Sequence, residues 1–221
     1  MTERRLLLIR HGQSDFGSEG FRTSPRGRQW DPGLSDLGRR QADALAARLV
    51  LTPPPAVVVT SPFRRCRETI GPYLERAGIE ASADEEVGEV FVGEWEGLSF
   101  EEIVSGDEEL ARRFRDSEPM FSLAPGGETG GDLRRRVVPA VERTLEGALE
   151  GNVVVVTHGG VINAYLGHVL GIDQDMFFLP ENASINTVAF DGPTRRMRFL
   201  NDTRHLTEPR LFAPPAGAGP D

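Results

Sequence analysis

The chain has a single cysteine, four histidines, two tryptophans and two tyrosines in 221 residues, and its 25 basic residues are outnumbered by 34 acidic ones. One cysteine, Cys66, excludes an intrachain disulfide and suits a reducing compartment. The histidines are scattered and show no ligand spacing such as H-E-x-x-H, which argues against a metal site. No stretch approaches the roughly 20 apolar residues needed to span a bilayer, and the run after Met1-Thr2-Glu3-Arg4-Arg5 is too short for a signal peptide. A formal net charge of -9 argues against nucleic acid or an anionic membrane as the main partner. These absences lead to the expectation of a cytoplasmic protein whose useful positive charge is local.

Three short apolar runs carry the positive information. Leu6-Leu7-Leu8-Ile9 ends in Arg10-His11-Gly12. Val57-Val58-Val59-Thr60 empties into Ser61-Pro62-Phe63-Arg64-Arg65-Cys66-Arg67, and Val153-Val154-Val155-Val156 ends in Thr157-His158-Gly159-Gly160. Each is too short for a buried helix and reads as a strand. Their tips carry His, Arg and His, and open α/β sheets bind ligands at the carboxyl ends of their strands. If the three strands are neighbours, the tips converge on one small basic pocket. Taken singly, each tip has an ordinary alternative: a turn histidine, a core histidine or a solvated arginine face.

The rest of the chain alternates in the same way. A helix capped by Ser35 is expected to place Leu37, Ala44, Leu45 and Leu49 on one face, and Pro53-Pro54-Pro55 stops it. An arginine-rich helix runs to Gly78, followed by a short strand around Ile79 and an acidic segment from Asp84 to Glu89. Ser99-Phe100-Glu101-Glu102 has capping-box spacing, and residues 99–127 read as an insertion with few periodic cues beyond Ser105. Helices are expected from Thr129 to Leu149 and from Gly160 to Leu170, then a hairpin around Asp191-Gly192-Pro193-Thr194. The fold class is three-layer α/β/α, with a mostly parallel sheet, an antiparallel edge strand and a small insertion over the site. One domain over residues 1–212 and a disordered tail at 213–221 complete the expectation.

Seven blocks carry a more specific resemblance. Arg10-His11-Gly12-Gln13-Ser14, Leu34-Ser35-x-x-Gly38-x-x-Gln41-Ala42, Ser61-Pro62-Phe63-Arg64-Arg65-Cys66-x-x-Thr69 and Glu89-x-x-x-Gly93-x-Trp95-Glu96-Gly97 are followed by three more. These are Gly126-Gly127-Glu128-Thr129-x-x-Asp132, His158-Gly159-Gly160 and Asn201-Asp202-Thr203-x-His205-Leu206. In this order they resemble the histidine phosphatase (phosphoglycerate mutase-like) superfamily, from about Leu6 to Leu206.

The resemblance implies a phosphatase acting on a small-molecule phosphomonoester through phosphohistidine, with neither metal nor cofactor, and it allows a homodimer. His11 is then the nucleophile. Arg10 and Arg65 hold the phosphate, because a guanidinium stays charged and its planar fork fits two phosphate oxygens. His158 is a third donor, protonated beside the anion, and Glu89 protonates the leaving oxygen. Gln13, Ser14 and Gly159 are implied phosphate contacts. Arg64 and Arg67 stand close to Arg65, and Glu85, Glu86, Glu94 and Glu96 close to Glu89, as alternatives. Trp95 reads as a packing anchor, His168 as structural, His205 as a cap or packing residue and Cys66 as a buried small side chain.

Two departures from the family pattern matter. Gly17 stands where many members carry a phosphate-contacting asparagine, so one donor is missing. The stretch between Gly20 and Trp30 holds Arg22, Arg26 and Arg28 without an acid, and reads either as an exposed mobile loop or as a basic mouth that recognises a second anionic group. Other classes carried forward are a cofactor-dependent phosphoglycerate mutase and a non-catalytic phosphate-binding protein of the same fold.

Overall fold

A computed structural model describes residues 3–15, 17, 20–105, 107–115, 121–148 and 150–206, with the side chains of Phe100, Phe114 and Arg115 excepted. The expected tail at 213–221 and Leu149, the expected end of the helix from Thr129, lie outside the described residues. In chain order the elements are β1 (Arg4–Arg10), β2 (Phe21–Ser24), β3 (Gly27–Trp30), α1 (Asp36–Leu49), β4 (Val57–Thr60), α2 (Arg64–Ala77) and β5 (Ser82–Ala83). There follow α3 (Phe100–Val104), α4 (Glu108–Arg115), α5 (Gly130–Gly147), β6 (Val153–Thr157), α6 (Gly159–Leu170), β7 (Ile185–Asp191) and β8 (Thr194–Asp202).

The main sheet has the order β5-β4-β6-β1-β7-β8. The first four of these run parallel, and β7 and β8 form an antiparallel hairpin beyond β1. The three strands whose tips matter are therefore adjacent, in the order β4, β6, β1. A strand alternates its side chains between faces, and the all-valine run shows the consequence. Val153 and Val155 join Leu6 and Leu8 under α5 and α6, whereas Val154 and Val156 join Ile9, Leu45, Leu49 and Ile70 under α1 and α2. Both faces are covered, which makes the three layers.

Local chemistry explains most boundaries. Ser35 caps α1 through its side chain to the Gly38 amide, and Ser99 and Thr129 close capping boxes with Glu102 and Asp132 at the starts of α3 and α5. Leu37 and Ala44 do not share the sheet-facing side of α1 with Leu45 and Leu49; they pack against Ala183 and Leu206. The expected strand around Ile79 is displaced to Ser82–Ala83. Gly78 ends α2 in the left-handed region at φ 63°, and the Ile79 amide returns to the Leu74 carbonyl, so Ile79 is spent on closing the helix. The insertion has more order than its sequence signalled: α3, α4 and a 3₁₀ turn at Phe121–Leu123.

Candidate active site

The ladder continues one residue past the strands. The His11 amide donates to the Thr157 carbonyl at 2.9 Å, and the Ser61 amide to the Val156 carbonyl at 2.9 Å. This sets Ser61, His158 and His11 side by side across three strand tips. The two imidazole centroids are 5.2 Å apart with planes at 62°.

His11 is 7% exposed, and its Nδ1 lies 2.7 Å from the Gly12 carbonyl. A carbonyl only accepts, so Nδ1 carries the proton and Nε2 keeps its lone pair. Burial, together with Arg65 and Arg10, pushes this imidazole well below its ordinary pKa. His158 is fully buried. Its Nε2 is 2.7 Å from Ser61 Oγ, and its Nδ1 accepts from Arg65 Nη2 at 3.1 Å. An arginine only donates, so Nδ1 is bare and the ring is neutral. Burial and the Arg65 charge hold its pKa well below the usual value. His158 is neutral here because both nitrogens already have partners and the surrounding charge is positive; its expected protonation beside the anion concerns the complex with phosphate.

The guanidinium groups divide clearly. Arg65 is buried, donates to the Trp30 carbonyl at 3.3 Å, and lies 4.6 Å over the Phe63 ring. Arg64 is turned outward to Glu68 at 2.6 Å, and Arg67 is exposed. Arg10 donates through Nη1 to the Pro180 carbonyl, while its buried Nε has no hydrogen-bond partner. A buried, unpartnered cationic donor is costly, and an anionic acceptor would satisfy it.

Glu89 accepts from the Val90 amide at 3.0 Å, and burial raises its pKa despite Arg65, Arg10 and Arg136. Its carboxylate lies over Gly160, where a Cβ would approach Oε1 to 2.7 Å. Arg136 holds the segment from behind, donating to the carbonyls of Glu86 (2.6 Å), Gly88 (2.9 Å) and Glu89 (3.1 Å) and pairing with Glu128 at 2.7 and 2.8 Å. The competing carboxylates are otherwise engaged. Glu85 pairs with Arg22, Glu86 lies 3.7 Å from Arg26, Glu94 is exposed, and Glu96 accepts from the amides of Trp30 and Val92.

Above these groups lies a cavity of about 410 Å³ whose lining includes Arg10, Arg65, Glu89, Gly159 and Gly160. The last two open α6, whose first amides have no side-chain cap and favour an anion. Neither imidazole is part of the cavity lining. Trp95 does line it, in addition to packing. Several expected contacts lie elsewhere. Gln13 accepts from Ser35 Oγ at 2.8 Å through its side chain, and Ser14 bridges to Leu34; both brace the start of α1 instead of facing the cavity. Gly17 is exposed, with its amide on Asp15 Oδ1 at 3.1 Å.

The basic loop is also corrected: it is the β2–β3 hairpin, and its arginines do not line the cavity. Arg22 makes a two-pronged pair with Glu85, Arg26 reaches the Glu85 carbonyl and carboxylate, and Arg28 lies 4.0 Å over Phe21. The acids that the loop lacks are supplied by a segment about 60 residues away. Cys66 is buried, as expected, its Sγ 3.5 Å from the Thr157 carbonyl and its thiol pushed up to about 12 by burial. Ser61 and Arg136 were not singled out from the sequence. Ser61 stood within a matched block, whereas Arg136 had no local signal.

A three-layer α/β protein with paired histidines and arginines at adjacent strand tips is the class that this fold and site define. The family model described as histidine phosphatase superfamily (branch 1) matches residues 6–203, and the chain belongs to that family. It is 34% identical over 209 residues to a bifunctional protein of Mycobacterium tuberculosis, covering 93% of this chain but 56% of that protein, so it spans little more than half of that relative's length. It is 30% identical to phosphoserine phosphatase 1 of Hydrogenobacter thermophilus, covering 92% and 95% of the two chains. A solved mycobacterial glucosyl-3-phosphoglycerate phosphatase complexed with VO3 superposes with a TM-score of 0.76 at 30% identity, covering 90% of this chain and 98% of that one. Among the described residues, no helix is long and apolar enough to cross a membrane.

Proposed function

We propose that the chain hydrolyses small phosphomonoesters through a phosphohistidine intermediate, without a metal ion. The observation that carries this reading is His11, held as the neutral Nδ1–H tautomer beside the buried Arg65 and the half-buried Arg10. A phosphomonoester brings close to two negative charges, which must be balanced before a nucleophile can approach phosphorus. The free Nε of Arg10, Arg65 and the first amides of α6 are the groups at hand. As the phosphate enters, Arg65 Nη2 exchanges its bond to His158 Nδ1 for one to a phosphoryl oxygen. His158 then takes up a proton beside the dianion and becomes a further donor.

His11 Nε2 attacks phosphorus in line and the P–O bond to the alcohol breaks. The Gly12 carbonyl takes up the developing charge on the ring through Nδ1–H. Glu89, whose pKa desolvation raises, gives its proton to the leaving oxygen. As a carboxylate it then takes a proton from water, whose oxygen attacks phosphorus, breaks the P–N bond and releases phosphate.

The test is an assay in EDTA with a panel of phosphomonoesters plus 3-phosphoglycerate, on wild type and His11→Ala. Phosphate release is expected in the wild type and a loss on the order of 10³-fold in the variant. Activity that survives the substitution, or that EDTA abolishes, overturns the reading. Isomerisation without phosphate release would make the chain a mutase, and binding without turnover a phosphate-binding protein.

A further inference from the structure

Away from its phosphate end the cavity is apolar, with walls that include Trp30, Trp95, Leu98, Ile103, Phe121 and Leu179. Leu98 and Leu179 are 45% and 74% exposed, so bare aliphatic surface rims the mouth. Among the described lining residues the only cations are Arg10 and Arg65, both at the phosphate end, and two carboxyl groups, Glu89 and Glu96, share the wall. Glu96 is fixed there by the amides of Trp30 and Val92. The hairpin arginines that might have read a second anionic group are held by Glu85, Glu86 and the Phe21 ring. A substrate with a second negative charge would therefore meet acidic side chains and hydrocarbon instead of a described cation.

Resting on the phosphomonoester reading above, we infer that the site selects esters whose alcohol carries an aliphatic or aromatic group and no second charge. Trp30, Trp95, Leu98 and Leu179 are its specificity-determining residues. Burying each added methylene of the alcohol against these walls removes apolar surface from water and strengthens binding.

The chain's two tryptophans both line the cavity, so intrinsic fluorescence reports occupancy without turnover. Titration with methyl-, ethyl-, butyl- and hexylphosphonate, which are not hydrolysed, is expected to lower Kd by about twofold to fourfold per methylene. 4-Phosphonobutanoate is expected to bind about tenfold more weakly than butylphosphonate. Leu98→Ser with Leu179→Ser should flatten the chain-length series, weakening hexylphosphonate far more than methylphosphonate. A Kd independent of chain length, or tighter binding of the carboxylated ligand, overturns the inference. Hydrolysis of 4-nitrophenyl phosphate, measured in parallel, separates the two readings. Turnover with a flat phosphonate series sinks only the specificity, and a graded series without turnover sinks only the phosphatase.

Discussion

His11 is buried and Glu89 half-buried, and desolvation moves them in opposite directions. The imidazole must be neutral to attack, and it loses activity only as pH falls through a value well below the ordinary one. The carboxyl must be protonated to act as an acid, and it loses activity as pH rises through a value above the ordinary carboxyl range. The expected kcat/KM profile is a bell displaced to the acid side, and Glu89→Gln should abolish its alkaline limb; a limb that survives this substitution belongs to another group. Ser61 works through His158. With Ser61→Ala the Nε2–H loses its oxygen acceptor, and only Cys66 Sγ at 3.5 Å stands near it. A loss of about 1–3 kcal/mol is expected in denaturant unfolding, with kcat reduced more than KM because the ring is no longer held.

Among elements, the segment bearing Glu89 is positioned by α5 without any regular structure of its own. Arg136 collects the carbonyls of Glu86, Gly88 and Glu89 and is itself fixed by Glu128, whose Oε2 also accepts the Phe91 amide at 2.8 Å. Removing one member of so buried a pair leaves the other charge uncompensated. Arg136→Met is therefore expected to cost about 3–5 kcal/mol, and chemical denaturation reads it directly. Gly160→Ala tests the same geometry from the opposite wall, since the methyl would stand 2.7 Å from Glu89 Oε1. It is expected to lower kcat and to shift the alkaline limb while leaving the melting temperature within a few degrees. The C-terminal motif braces the other side: Asn201 Oδ1 takes the Glu181 amide at 2.7 Å, and Asn182 and Ala183 both donate to the His11 carbonyl.

Taken whole, the molecule carries 25 basic residues, every one an arginine that stays charged at all working pH, so among its basic side chains only the histidines titrate near neutrality. His11 and His158 have folded pKa values below their unfolded value of about 6.5. Below that pH the unfolded chain binds more protons than the folded one, so stability falls as pH drops from about 6.5 toward the lowered values. Glu89, raised in the fold, has the opposite sign and acts in the carboxyl range. A lower urea midpoint at pH 5.5 than at pH 7.5 is expected, with a smaller difference in His158→Asn. Equal midpoints in the wild type would show that neither ring is held neutral.

Apolar runs and their punctuation are local, and they were readable along the chain. Leu6–Ile9, Val57–Thr60 and Val153–Val156 announced three strands, and the residues that ended them announced a histidine, an arginine and a second histidine at their tips. Caps at Ser35 and Ser99 were equally plain, because a cap and its partner lie three residues apart. Which charge meets which partner was not. Arg22 and Arg26 find Glu85 and Glu86 some 60 residues on, Arg136 finds the carbonyls behind Glu89, and Arg65 alone of its cluster turns inward. Electrostatic pairing acts through space and leaves no period in the chain, so the division of arginines between scaffold and site, and the neutral state of His158, became visible only once the strands had been laid side by side.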